Sequence, residues 1–189
     1  MRTTSSAQAA EACFHGGAFF EAIGDRFHGL QPRYTIINAD VLDAWFPPAP
    51  SVLEALEADL DWLARTSPPT DCGGLIQTIA QTRGVQAECV LPGGGSSDLI
   101  YRAFGRWLKP SSRVLLLDPT YGEYVHICKH VVGCNVEHFC LDAIDDFHLD
   151  VDKLHTRLQF GGFDLAVIVN PNNPTGQHVP RSTLESLLR

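Results

Sequence analysis

No run of apolar residues in the chain approaches the ~18 needed to cross a bilayer, so no membrane association is expected. Basic residues are the minority: 14 Lys plus Arg stand against 22 Asp plus Glu, for a net charge of -8. That balance argues against nucleic acid as a partner, because a long polyanion needs clustered Lys and Arg. A single small anion is still permitted, since backbone N–H groups and a helix N-terminus can hold one phosphate. The opening residues MRTTSSAQAAEA lack the continuous apolar stretch of a secretory signal. Internal repeats and low-complexity tracts are absent. Cysteine is sparse: Cys13, Cys72, Cys89, Cys128, Cys134 and Cys140 are scattered among apolar neighbours. The 189 residues can bury a core without staples, so these are expected to be reduced core residues of a cytoplasmic protein.

What is present is a regular alternation. The 44% hydrophobic and 19% charged residues are ordinary for a globular protein, so pattern rather than composition decides the class. Ser51 and Glu54 read as a capping box. Val52, Leu53, Leu56, Leu60 and Leu63 follow at helical spacing, which predicts a helix over 52–65. A second helix is predicted over 73–83, stopped by Gly84. A short strand at 88–91 should lead into Pro92-Gly93-Gly94-Gly95-Ser96-Ser97 and a helix over 98–109. The runs 113–117 and 164–169 are continuously apolar after their charged first residues, Arg113 and Asp164, as suits strands buried on both faces. Between them lie a helix at 121–132, a strand at 135–141 and a helix at 151–159; a last helix starts at Pro180. The expected fold class is α/β: three layers, with a mostly parallel sheet flanked by helices. Residues 1–50 are less regular and are read as an N-terminal arm and linker, and 51–189 as one domain.

Three loops follow strands, and in an open parallel sheet ligands bind beyond the carboxyl ends of the strands. Gly93-Gly94-Gly95-Ser96-Ser97-Asp98 offers close backbone approach, a helix N-terminus and two hydroxyls, which would suit a phosphate. It is no nucleotide P-loop, because no Gly-Lys-Ser/Thr follows, and it lacks the GxGxxG order. The plain alternative is a strand–helix turn with Ser96 or Ser97 as N-cap. In Asp118-Pro119-Thr120-Tyr121-Gly122-Glu123-Tyr124, an aromatic could lie on a planar ring or simply pack the sheet edge. Asn170-Pro171-Asn172-Asn173-Pro174-Thr175-Gly176 fixes an unusual path able to aim an amide at a phenolate oxygen; a rigid polar turn is the alternative.

The three segments together resemble fold type I aminotransferases, whose cofactor is pyridoxal 5'-phosphate (PLP). His15-Gly16-Gly17 and INADVLDAWFPPAPSVLEAL are similar to the histidinol-phosphate aminotransferase and threonine-phosphate decarboxylase branch. The likeness runs over roughly residues 14–189. It implies that 51–189 is an incomplete PLP-binding large domain. It assigns Gly95, Ser96 and Ser97 to the cofactor phosphate, mainly through backbone N–H groups, Tyr121 to ring stacking, and Asn173 to the phenolic oxygen. It also implies cis peptide bonds before Pro119 and Pro174, an amino-acid substrate with a 2-oxo acid, and a homodimer when full length. The chain departs from the pattern twice. Ser67-Pro68 stands where the histidinol-phosphate branch has Tyr-Pro, which argues against a shared phosphate contact and against that substrate. The lysines are Lys109, Lys129 and Lys153, and none follows the 170–176 loop, where the family's Schiff-base lysine belongs.

The expected function is therefore that of an aminotransferase acting on an amino acid or amino-phosphate, present as a fragment and inactive by itself. Poor solubility or reliance on a partner is expected of such a fragment. Decarboxylation of the threonine-phosphate kind, or a non-catalytic aminotransferase-like binding module, are the alternatives. His126, His130, His138 and Cys140 also invite a metal reading, since helical i, i+4 histidines can bind zinc; an accidental cluster is the simpler account, and no metal is expected.

Overall fold

The computed structural model describes residues 17–188, apart from 25, 27, 28, 41, 42 and 45. Cys13, the His15-Gly16 pair and part of the 37–56 resemblance therefore lie outside the described residues. The chain divides into two units, 14–92 and a second containing 93–189.

In the first unit lie the helices α1 (Ala18–Ile23), α2 (Pro50–Arg65) and α3 (Gly73–Arg83), with 3-10 turns at Gln31–Tyr34 and Ala87–Cys89. α2 begins two residues earlier than the spacing predicts. Ala49 is its N-cap and Pro50 opens its first turn, where a missing N–H costs nothing. Ser51 is thus inside the helix, and the expected Ser51–Glu54 capping box does not form. α3 stops where predicted: Gly84 takes φ 64°, ψ 36°, a left-handed conformation that favours glycine. The expected strand at 88–91 is absent. Ala87–Cys89 is a 3-10 turn, and no described strand pairs with it. An isolated strand leaves its backbone groups unpaired, so local β propensity is not enough to hold it.

The second unit is built on a three-stranded parallel sheet. Its elements are α4 (Ser96–Trp107), β1 (Arg113–Asp118), α5 (Gly122–His126), β2 (Asn135–Cys140), α6 (Val151–Gly161), β3 (Leu165–Val167) and α7 (Arg181–Ser186). α5 runs on as a π-helical turn over Ile127–Val132. The strand order is β2-β1-β3, with Val114 opposite both Val136 and Leu165. β1 is central, and its apolar run faces both ways. Val114 and Leu116 join Phe104, Leu108, Ile127 and Cys128 on one face. Leu115 and Leu117 join Leu141, Leu149 and Leu154 on the other. Helices thus cover both faces, as the continuous apolar runs of β1 and β3 imply. β3 is three residues long where six were expected. Cys128 and Cys134 are core residues as expected; Cys89 and Cys140 are exposed and Cys72 is half-buried. No helix among the described residues is long and apolar enough to cross a membrane.

Candidate functional site

α4 opens on Gly95, whose φ of 104° and ψ of 176° lie in a region that L side chains rarely adopt. No side chain caps the helix, and the first intrahelical bond is Leu99 N–H to the Gly95 carbonyl at 3.2 Å. Ser96 and Ser97 are therefore the first two helical residues, not N-caps. Their N–H groups precede the hydrogen-bond ladder and carry the positive end of the helix dipole. Asp98 already has partners: Gly94 N–H donates to it at 2.9 Å and Arg102 Nε at 2.7 Å. These two bonds, the Gly94 one foremost, hold the Asp98 carboxyl below the usual carboxylate range.

The helix returns the chain to the start of β1. Its ~18 Å match the ~20 Å of the six-residue strand, so its N-terminus lies toward the carboxyl ends of the strands. An open groove of about 370 Å³ runs along this helix, lined from Leu99 to Trp107 on α4, by Tyr124 of α5 and from Leu165 to Ile168 on and beyond β3.

Tyr121 is the N-cap of α5, directly after β1. Its ring meets Tyr124 edge-on, with centroids 5.9 Å apart and an interplanar angle of 83°. Tyr124 in turn lies 5.8 Å from Phe104 of α4. That relay of rings orients Tyr121 and ties the 118–121 loop to the helix behind it. Burial, with Tyr121 as a lesser cause, pushes the Tyr124 phenol above its ordinary pKa, so it is neutral at pH 7.

The 170–176 loop folds back on itself. Asn170 Oδ1 accepts from Val179 N–H at 2.9 Å, and Asn170 Nδ2 donates to the Val179 carbonyl at 2.9 Å. Asn172 is buried, at 5% exposure. Its Nδ2 donates to the Pro119 carbonyl at 2.9 Å and to Thr175 Oγ1 at 3.0 Å, and its Oδ1 accepts from Thr120 Oγ1 at 3.2 Å. Asn173 is half-buried, next to that anchor. The peptide bonds before Pro119 and Pro174 are cis as expected, and so is the one before Pro171.

The candidate residues named from the sequence thus come from three segments: Gly95, Ser96 and Ser97 at the head of α4, Tyr121 after β1, and Asn173 after β3. The hydrogen bonds of Asn172 join the second segment to the third. Sequence reading passed over Asn172, because it shares its place between Pro171 and Pro174 with Asn173 and its partners lie more than fifty positions earlier. The histidines that suggested a metal are placed otherwise. His126 and His130 stack with centroids 5.5 Å apart, while His138 Nε2 lies 3.1 Å from Lys129 Nζ and its Nδ1 lies 3.8 Å from Asp118. No group of three or more His, Cys, Asp or Glu able to hold a metal occurs among the described residues.

Comparison with known proteins points to one family. Histidinol-phosphate aminotransferase of Clostridium acetobutylicum is 30% identical over 161 residues, covering 85% of this chain and 44% of the relative. Among solved structures, histidinol-phosphate aminotransferase from Sinorhizobium meliloti in complex with pyridoxal-5'-phosphate superposes with a TM-score of 0.65 at 22% identity, over 77% of this chain and 38% of that one. L-threonine-O-3-phosphate decarboxylase from Porphyromonas gingivalis gives 0.59 at 24% identity, over 77% and 42%. The chain thus spans less than half the length of the relatives it matches. The sequence model of aminotransferase class I and II covers residues 41–189, both sheet-edge loops and the head of α4 included, and the chain belongs to that family.

Proposed function

We propose that these 189 residues form the phosphate- and ring-binding portion of a PLP-dependent aminotransferase acting on an amino acid or amino-phosphate with a 2-oxo acid. The observation that carries the proposal is the tie between the Tyr121 and Asn173 loops at the strand ends where α4 also begins. The residues fit the cofactor's shape and charge. An uncapped helix start with Gly95 at positive φ suits a phosphate dianion, a braced aromatic suits a flat ring, and an amide suits a phenolate oxygen.

Bound PLP supplies an electron sink for the substrate's amino carbon. The chain's own share is binding and orientation. The N–H groups of Ser96 and Ser97, with Gly95, hold the phosphate against the positive end of α4. Tyr121, held by Tyr124, presents its ring to one side of the cofactor plane. The Asn173 amide donates to the phenolate oxygen and favours its ionised form. Covalent tethering of an aldehyde cofactor needs a primary amine, and Lys109, Lys129 and Lys153 all precede the 170–176 loop. We assign the tethering lysine to polypeptide additional to these residues, and read the working enzyme as a cytosolic homodimer. The similarity to histidinol-phosphate aminotransferases favours amino-group transfer over decarboxylation.

Calorimetry on residues 1–189 tests the reading with three probes: pyridoxine 5'-phosphate, pyridoxine and inorganic phosphate. The alcohol in place of the aldehyde prevents reaction with any lysine. The phosphate ester should bind at least tenfold tighter than either half, since it alone spans cradle and ring wall. Equal affinity for all three probes would sink the assignment.

A further inference from the structure

Of the three asparagines at the strand end, Asn172 is buried, Asn173 is half-buried and Asn170 is exposed. Asn170 closes its own loop onto Val179. Asn173 makes no side-chain hydrogen bond to a described residue. Asn172 reaches across 53 positions of sequence to Pro119 and 52 to Thr120. The β1–β3 ladder ends at Leu116 opposite Val167, short of both loops. Among the described residues, the hydrogen bonds that couple the Tyr121 loop to the Asn173 loop beyond that point are those of Asn172.

The chemistry of this brace is specific. The Pro119 carbonyl can only accept, so the atom facing it must be the amide nitrogen. The Thr120 hydroxyl can then donate to the amide oxygen, and Thr175 takes the second N–H. The backbone is held too: Asn172 N–H donates to the Gln177 carbonyl at 2.8 Å, and its carbonyl accepts from Gly176 N–H at 2.7 Å. At 5% exposure these bonds are shielded from competing water. Aspartate would set a carboxylate against the Pro119 carbonyl, and leucine would leave both Pro119 and Thr120 without a partner.

We infer that Asn172 is a positioning residue for the ring site: by tying Pro119 and Thr120 to its own loop, it sets the spacing between the Tyr121 ring and the Asn173 amide. The inference rests on the proposed cofactor reading. It assigns Asn172 no contact with the ligand. The phosphate cradle at the head of α4 is not part of this brace, and that separation makes the role measurable.

The test measures two affinities on residues 1–189 and on Asn172→Ala, using pyridoxine 5'-phosphate and inorganic phosphate as probes. Loss of the brace should weaken the ring-bearing probe about tenfold while phosphate affinity stays within about twofold. A wild-type chain that binds the two probes equally would remove the cofactor reading itself, and this inference with it. A wild-type preference for the ring-bearing probe that survives unchanged in Asn172→Ala overturns the bracing role alone. So does an equal loss for both probes, which marks a general structural defect. Should Asn172→Ala not fold, Thr120→Val removes one hydrogen bond at nearly constant shape. It should lower ring-probe affinity about threefold and spare phosphate; an unchanged ratio overturns the inference.

Discussion

Replacing Gly95 by alanine separates backbone conformation from crowding at the head of α4. The glycine sits at φ 104°, ψ 176°, a region essentially reserved for glycine, and a non-glycine residue held there costs about 1–3 kcal/mol. A methyl group at Gly95 would meet no heavy atom within 4 Å, so the whole penalty is conformational. Two responses are open to the chain. If Gly95→Ala keeps the native path, denaturant unfolding followed by circular dichroism should show the full loss and phosphate affinity should persist. If the residue relaxes to negative φ, stability recovers but the Ser96 and Ser97 N–H groups turn away and phosphate affinity falls. Gly105 supplies the opposite-sign control. It lies inside the same helix without positive φ, also with open space around it, so Gly105→Ala should stabilise by about 0.5–1 kcal/mol. The reasoning is refuted if Gly95→Ala is as stable as Gly105→Ala and binds phosphate as the wild type does.

Leu116 is 0% exposed on central β1, and Leu116→Ala should cost about 2–5 kcal/mol in denaturant titration, whereas Leu60→Ala on α2, where the side chain is 61% exposed, should stay within about 0.5 kcal/mol. Thiol labelling at pH 8 should modify Cys89 and Cys140, which are exposed, and spare Cys128, which is fully buried and whose thiol burial pushes up to about 12; mass mapping before and after unfolding checks this, and native-state labelling of Cys128 would contradict the placement. Asp98 has its folded-state pKa lowered by Gly94 N–H and Arg102, so its contribution is present above the unfolded carboxylate value of about 3.9 and is lost as pH falls through the lower folded value. Asp98→Asn should therefore lower the denaturant midpoint slightly at pH 7, with the gap to wild type closing in acid below that range; a gap independent of pH would refute the ionic account.

How much could be read from sequence depended on where each residue's partner lies. β1 was legible because four consecutive apolar residues need only two covered faces, and both faces exist within the chain. α3 was legible because Gly84 ends it through its own left-handed backbone, with no help from elsewhere. The 88–91 segment has equal local claim to be a strand and is not one, because a strand's hydrogen bonds belong to its neighbour. The glycine-rich, Tyr-bearing and Asn-rich loops were found for a similar reason: glycine, aromatic and proline–asparagine chemistry is visible one residue at a time. Their coupling was not. Asn172 reads as one more polar turn residue until Thr120 and the Pro119 carbonyl, more than fifty positions earlier, are brought beside it by the β1–β3 pairing. A binding group can thus be recognised from its own residue type, while the group that sets its distance from the next is recognised only when the sheet has closed. If that distinction holds, substitutions at Tyr121 or Asn173 remove a binding group, whereas substitutions at Asn172 keep both groups and misplace them together.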